Sequence, residues 1–160
     1  MNKIVIDACV WNHWYNPSED DLYSFEVINR FVDNTNDEVL CLDSDNIIAD
    51  ECSRNTGGDF YRIYTQCYER VVFFSSEMSE GIKHKLKDEL GFHEATDLCY
   101  VNVALQADKV IITFDGDYGL FSIEYYRSVE DGLAKHRVAE YMSKELSLKV
   151  YLPQTYIEAC

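Results

Sequence analysis

Five acidic residues fall where most carboxylates do not, either directly after an apolar run or on the apolar side of a predicted helix: Asp7, Glu51, Asp97, Asp115 and Asp117. Several carboxylates within a few ångströms of one another cannot all stay ionised without a cation. Oxygen ligands of this hard kind favour Mg²⁺ or Mn²⁺ over zinc. Each acid alone has an ordinary structural explanation, whereas one metal site explains them all. The sequence therefore predicts a divalent-metal site, with these residues as candidate ligands and catalytic groups.

Two predicted strands end in a carboxylate. Residues 110–118, VIITFDGDY, are apolar up to Asp115 and Asp117, and residues 3–7, KIVID, are a second apolar run that ends in Asp7. A lone aspartate at a strand end is often only a turn former or a helix cap. However, strands buried on both faces are typical of a parallel sheet covered by helices, in which ligands bind beyond the carboxyl ends of the strands. If these two strands are parallel, their acids lie at the same edge of the sheet.

The other candidate acids lie on predicted helices. Glu51 follows Ile48 by three residues, and Asp97 precedes Val101 by four, so each carboxylate shares the inward face of its helix. For Glu51 the alternative is a position at the rim, with a salt bridge to Arg54. For Asp97 the alternative is an acid in the first turn that stabilises its helix by capping or through the helix dipole.

Hydrophobic periodicity predicts the elements that position these acids. A helix over residues 20–33 has apolar side chains at helical spacing: Leu22, Phe25, Ile28 (or Val27) and Phe31. Ser44 is the predicted cap of the helix that carries Glu51. Further strands are predicted over residues 38–42, 71–74 and 149–152, and a further helix over residues 93–106.

Two segments are candidates for contact with nucleic acid. The only local concentration of positive charge is a predicted helix with three lysines, which are candidate phosphate contacts: Lys83, Lys85 and Lys87. A charged run this short is more often a solvated face. A Tyr-rich helix interleaved with arginines offers a stacking surface for unpaired bases, formed by Phe60, Tyr61, Tyr64 and Tyr68. Core packing is the preferred explanation for most of these aromatic residues.

Residues 119–147 separate the last acids from the final strand. Ser128 is the predicted cap of a helix that runs to about Leu146, with an apolar stripe made of Ala134, Val138, Tyr141 and Met142. The segment is a core element, a lid or a partner surface. We favour a core or self-association role over contact with nucleic acid, because the segment is not notably basic.

Length and composition limit which kinds of protein could carry this site. The chain has 160 residues, which suits a single domain, and its 29 acidic and 14 basic residues give a net charge of −15. This charge repels phosphate backbones, so a general nucleic-acid coat protein is disfavoured. The six cysteines form no CxxC pair, and we expect reduced, mostly buried thiols. Because neither a membrane span nor a signal peptide is visible, we expect a cytoplasmic protein.

The order of strand Asp, helix Glu, helix Asp and strand Asp-x-Asp resembles the PIN domain, a family of metal-dependent nucleases. The resemblance runs through KIVIDACVW, IIADE, ATDLCYVNVALQADKVIITFDGDY and KVYLPQTYIEA. It implies a single PIN-like domain over residues 1–160, an α/β fold with three α/β/α layers around a central, mainly parallel sheet. It also implies that Asp117 assists in metal binding and that one or two Mg²⁺ or Mn²⁺ ions are held by four acids: Asp7, Glu51, Asp97 and Asp115. Thr113 matches a polar residue of the family and would steady a metal-bound water.

The resemblance implies an endoribonuclease acting on single-stranded RNA, in which metal-activated water attacks a phosphodiester in line. Two departures from the family pattern are Cys9, where a small hydroxyl or amide residue is usual, and the length of residues 119–147. A protein partner, antitoxin-like, or a homodimer is also expected. The four histidines show no HExxH-like pairing, so we predict structural or surface roles for them.

Two alternatives from other classes remain open. The sequence FDGD also resembles the nucleophile motif of haloacid-dehalogenase-type phosphatases, in which the first Asp takes up phosphate and the second acts as acid and base. That motif belongs to a first strand, whereas only about a quarter of this chain follows FDGD. The other alternative is a catalytically silent PIN-like binding module, such as one half of a toxin–antitoxin pair. The complete set of acids argues against it.

Overall fold

A five-stranded parallel sheet forms the centre of the molecule, which the computed structural model describes over residues 2–34 and 36–160. In these residues the strands are β1 (Asn2–Ile6), β2 (Glu38–Asp43), β3 (Val71–Phe74), β4 (Val110–Ile112) and β5 (Lys149–Tyr151). The α-helices are α1 (Ala8–Tyr15), α2 (Tyr23–Val32), α3 (Ile47–Arg54), α4 (Asp59–Gln66), α5 (Glu80–His84), α6 (Ala95–Gln106), α7 (Val129–Lys144) and α8 (Pro153–Ala159). Residues Lys85–Glu89 continue α5 as a π-helical turn.

The strand order is β3-β2-β1-β4-β5, with every neighbouring pair parallel. The chain therefore moves outward from β1 to β3 and then returns to the other side of β1 to form β4. This reversal makes the boundary between β1 and β4 a topological switch point, where α/β sheets bind their ligands. Ile6 pairs with Ile112 across this boundary, and the backbone N–H of Asp7 donates to the carbonyl of Ile112 at 3.0 Å.

Helices cover both faces of the sheet. Right-handed crossovers that run in opposite directions along a sheet lie on opposite faces, so α2 and α6 are on different sides. On one side α2 packs against α1 and α8, while α6 contacts β1, β2 and β4 from the other. The predicted three-layer α/β/α sandwich with a parallel sheet is confirmed. None of the helices in the described residues combines the length and apolar character needed to cross a bilayer.

The predicted strands around the switch point are buried as expected. Val5, Ile111 and Ile112 are each 0% exposed, because both faces of these strands are covered by helices. The strand β4 nevertheless ends at Ile112, and the half-buried Phe114 already belongs to the loop that leads to Asp115. The apolar run is therefore longer than the strand it contains.

The inward face predicted for the helix over residues 20–33, which is α2 in the structure, is wrong in part. Leu22 and Phe25 are 66% and 41% exposed, and the buried stripe consists of Ser24, Val27, Ile28 and Phe31. The reason is that α2 begins only at Tyr23, with Leu22 as the residue before the helix. Burial at positions 24, 27, 28 and 31 follows the i, i+3, i+4, i+7 spacing of one helical face.

The predicted helix cap at Ser44 is also wrong. The buried carboxylate of Asp43 accepts hydrogen bonds from the backbone N–H groups of Asp45, Ile47 and Ile48, at 3.1, 3.0 and 2.8 Å. Asp43, at the end of β2, thus satisfies the free N–H groups at the start of α3, while Ser44 is exposed.

The aromatic residues of α4 and its C-terminal side divide between core and surface. Phe60 is fully buried, but Tyr61 and Tyr68 are 40% and 59% exposed. Core packing therefore explains only part of this set. The exposed rings contact Tyr64 edge to face, with centroid distances of 6.2 Å for Tyr61 and 5.6 Å for Tyr68.

The helix α7 in the 119–147 segment is a core element. The Ser128 hydroxyl accepts from the backbone N–H of Asp131 at 3.0 Å, which confirms the predicted cap. Val138 and Met142 are each 1% exposed, so they belong to the core. The predicted thiols are also confirmed: all six cysteines are free, and Cys41, Cys52, Cys67 and Cys99 are buried.

Candidate metal centre

Three of the predicted acids meet beyond the carboxyl ends of β1 and β4. Asp7 directly follows β1, Asp115 follows β4, and Asp97 lies in the first turn of α6, which crosses this edge of the sheet. One carboxylate oxygen from each residue lies within 4.8 Å of the other two. Asp7 and Asp97 are only 4% and 8% exposed, so these charges are largely removed from water.

Thr113 joins two of these acids. Its hydroxyl donates to Asp7 Oδ2 at 2.7 Å and accepts from the backbone N–H of Asp115 at 2.9 Å. The other Asp7 oxygen, Oδ1, accepts from the backbone N–H of Cys9 at 3.4 Å. The buried Thr113 hydroxyl therefore orients the Asp7 carboxylate, and its predicted contact with a metal-bound water stays a prediction. The Cys9 thiol lies 3.6 Å from the same hydroxyl.

Burial, with repulsion between the carboxylates as a smaller cause, raises the pKa values of the three acids. Burial, and then the charges of Asp115 and Asp7, raise the pKa of Asp97 from 3.8 to about 8. Burial also raises the pKa of Asp7 and of Asp115, although the Thr113 hydroxyl and the backbone N–H of Asp117, respectively, act in the opposite direction. Without a cation Asp97 therefore holds a proton at a pH where exposed aspartates are ionised.

The structural alternative for Asp97 is not supported by its surroundings. The helix α6 begins after Glu94, and it is Glu94, not Asp97, that occupies the cap position. An aspartate stabilised by the helix dipole would have a lowered pKa, whereas that of Asp97 is raised.

Glu51 and Asp117 lie outside the group of three, but their charges also raise the pKa of Asp97. Glu51 Oε2 is buried and has no hydrogen-bond partner among the residues that the structure describes. Burial and the charge of Asp7 raise the pKa of Glu51, and Arg54 offsets this only in part. Asp117 Oδ1 forms a salt bridge with Lys135 Nζ at 2.9 Å. Asp117 is thus partly neutralised by the chain itself.

The donor set fits a hard divalent cation such as Mg²⁺ or Mn²⁺. All the converging ligand atoms are carboxylate oxygens. Two further buried oxygens near the group have no partner within residues 2–34 and 36–160: Glu51 Oε2 and the Tyr118 hydroxyl. Tyr118 is 0% exposed, and its pKa is raised by burial and then by the charges of Asp7 and Asp97. These two oxygens are available to a cation or to the water molecules that it binds.

The three predicted lysine contacts do not line the cleft that contains Asp115 and Asp117. Lys85 pairs with Glu89 at 2.9 Å, Lys83 lines a different open cleft of about 510 Å³, and Lys87 is exposed. Their role in phosphate contact stays a prediction.

A second set of residues beside the acids was missed from the sequence. Tyr125, Tyr126, Arg127 and Lys135 line an open cleft of about 370 Å³ that also contains Asp115 and Asp117. The sequence feature that could have indicated this cleft is the run Tyr-Tyr-Arg at residues 125–127, in which aromatic and basic side chains are adjacent.

No protein-family model matches the sequence, and neither a curated protein nor a solved structure matches the chain. The resemblance to the PIN domain therefore stays a prediction. What the structure itself provides is a group of three aspartates at the switch point of a parallel sheet, with an all-oxygen donor set suited to a divalent cation.

Proposed function

We propose that the protein is a metal-dependent endoribonuclease that hydrolyses phosphodiester bonds of single-stranded RNA. The observation that carries the proposal is the convergence of Asp7, Asp97 and Asp115 within 4.8 Å at the sheet edge. The choice of RNA is supported by the resemblance of the same motifs to the PIN domain.

Each residue of the site has a defined part in this proposal. Asp7, Asp97 and Asp115 would hold the cation, and Glu51 with its unpartnered oxygen would complete the ligand set. Thr113 fixes the orientation of Asp7 relative to the loop of Asp115. The bound ion supplies a more acidic water and positive charge at the leaving oxygen. Lys135 holds Asp117 at the rim, where that carboxylate assists the ligand set.

Mn²⁺ is expected to stabilise the fold. A ligand that binds only the native state adds about 2.7 kcal/mol at a hundredfold excess over its dissociation constant, which raises the Tm of a chain of this size by about 5–10 °C. Thermal melts across a Mn²⁺ titration to millimolar concentration measure this shift. Asp108→Asn serves as the control, because Asp108 is exposed and accepts a hydrogen bond from the backbone N–H of Lys3 that an amide oxygen can replace. An unchanged Tm in the wild type contradicts the metal site.

The substrate class is tested by comparing labelled single-stranded RNA, single-stranded DNA and a small phosphate monoester. We expect Mn²⁺-dependent endonucleolytic cleavage of the RNA, suppressed by a chelator, with no comparable release of phosphate from the monoester. Gel analysis of the labelled strands and a colorimetric phosphate assay give the two readouts. Rapid hydrolysis of the monoester with the RNA left intact favours the phosphatase alternative, and cleavage of DNA alone rejects the choice of RNA.

The silent binding module is less well supported than the enzyme. Clustered buried carboxylates with raised pKa values destabilise a fold, and a binding surface elsewhere on the protein gains nothing from them. An antitoxin-like partner or a homodimer remains part of the proposal. So does a cytoplasmic location, with which the free cysteines are compatible.

A further inference from the structure

The 119–147 segment reaches back over the acidic loop. The helix α7 packs so closely on this loop that a Cβ atom at Gly119 would lie 2.1 Å from the backbone oxygen of Lys135. One side chain of α7, Lys135, extends to Asp117, with 2.9 Å between Nζ and Oδ1. The segment therefore forms one wall of the cleft next to the proposed metal centre.

Aromatic rings cover Gly116, which lies between the two acids of the loop. A Cβ atom at Gly116 would lie 3.1 Å from Tyr125 and 3.5 Å from Tyr126, and the Tyr126 hydroxyl donates to the Gly116 carbonyl at 2.8 Å. Tyr125 stacks on Phe121, with ring centroids 4.3 Å apart and an interplanar angle of 24°. Tyr125 is nevertheless 62% exposed. It is thus an aromatic ring supported from the protein side and open to solvent.

Positive charge lines the same cleft. Arg127 is exposed directly after the two tyrosines, and the side chain of Lys135 is 25% exposed. Asp131 also lines the cleft. Asp115 and Asp117 line the cleft too, and Lys135 is paired with Asp117, so Arg127 and the proposed cation supply the local attraction that a phosphate requires.

We propose that this cleft binds one unpaired nucleotide next to the bond that is cleaved, with its base stacked on Tyr125 and its phosphate held by Arg127. The inference rests on the proposed function, because only a phosphodiester at the metal centre makes a nucleotide the natural occupant of the cleft. It explains a preference for single strands, since a base must leave its duplex to stack on a protein ring. It also gives the 119–147 segment a role in substrate binding in addition to its core packing.

The test is binding of a fluorescent single-stranded RNA decamer, measured by anisotropy in Ca²⁺, with Mn²⁺-dependent cleavage followed in parallel. Tyr125→Ala is expected to weaken binding by about 5- to 160-fold, which corresponds to the loss of one base–aromatic stack. Tyr125→Phe keeps the ring and should bind like the wild type. Phe25→Ala, which removes another exposed aromatic ring, on the helix α2, is the control and should also bind like the wild type. A duplex of the same length should show no dependence on Tyr125.

A second variant keeps the inference testable if Tyr125→Ala does not fold. Arg127→Ala changes an exposed side chain, and it should reduce the slope of log affinity against log salt by about 0.7, the value for one single-stranded phosphate contact. If both alanine variants bind the decamer like the wild type while cleavage persists, the subsite is rejected and the nuclease stands. If binding depends on Tyr125 and Arg127 but no metal supports cleavage, the subsite is supported and the nuclease is rejected. A wild type that neither binds nor cleaves the RNA rejects both.

Discussion

Asp97→Asn is expected to reduce metal-dependent RNA cleavage by about 100-fold or more, while the metal-free protein stays at least as stable as the wild type. The variant keeps the size and polarity of the side chain but removes one of the three converging carboxylates. The cation loses a charged ligand, so the Mn²⁺-induced rise in Tm should shrink strongly. The same loss of cleavage is expected for Asp7→Asn and Asp115→Asn.

The stability of the metal-free protein gives this prediction a pH signature. A carboxyl group whose pKa is raised on folding contributes stability that is complete below its unfolded pKa and is lost as the pH rises through its folded pKa. For Asp97, whose pKa is raised from 3.8 to about 8, this stability is lost over the pH range between those two values. The raised pKa values of Asp7, Glu51 and Asp115 act in the same direction. Without metal, the wild-type Tm should therefore fall between pH 5 and pH 8, and less so in Asp97→Asn.

Urea denaturation and thermal melts at both pH values, with a chelator and with Mn²⁺, measure these effects. Asp108→Asn, which changes an exposed acid beyond the far end of α6, should behave like the wild type. A structural role for Asp97 predicts the reverse pattern. In that case Asp97→Asn would keep wild-type cleavage and Mn²⁺ response, and Asp97→Ala would lose about 1 kcal/mol of stability as a helix cap does.

The edge of the sheet was predictable because its signals are local. An apolar run that stops at an acid marks the carboxyl end of a buried strand, and both Asp7 and Asp115 lie where this pattern places them. The same pattern does not distinguish a ligand from a cap. Asp43 also ends a buried strand, yet its oxygens are used by three backbone N–H groups of the next turn. Whether a strand-end aspartate is free to bind a cation depends on the loop conformation that follows.

The cleft beside the acids was not predictable, because it depends on contacts distant in sequence. Lys135 meets Asp117 only because α7 folds back over the acidic loop, and a helical periodicity cannot indicate that direction. The hydrogen bond from Thr113 to Asp7 likewise joins residues 106 positions apart. Periodicity also misplaced the inward face of α2, since its hydrophobic residues fit two overlapping stripes and packing against α1 and α8 selects one of them.

Gly119→Ala is expected to cost about 2–5 kcal/mol of folding free energy, a large part of the about 5–15 kcal/mol typical of a domain. Gly119 has φ +76°, in the left-handed region, and its added Cβ would meet the backbone oxygen of Lys135 at 2.1 Å and the carbonyl carbon at 2.8 Å. No rotation of a side chain relieves a contact with backbone atoms. Either α7 must move away from the acidic loop or the loop must change conformation. Both changes separate Lys135 from Asp117.

Gly91→Ala provides the matched control for this variant. Gly91 has φ +74°, nearly the same backbone conformation, but no atom lies within 4 Å of the position that its Cβ would occupy. Both variants therefore share the cost of an alanine in the left-handed backbone region, about 1–2 kcal/mol. The difference between their losses of folding free energy then measures the effect of the close approach of α7. Urea denaturation of both variants measures this difference. Equal losses of stability in the two variants would show that α7 does not pack on the acidic loop in solution, and the cleft beside the metal centre would then lose one of its walls.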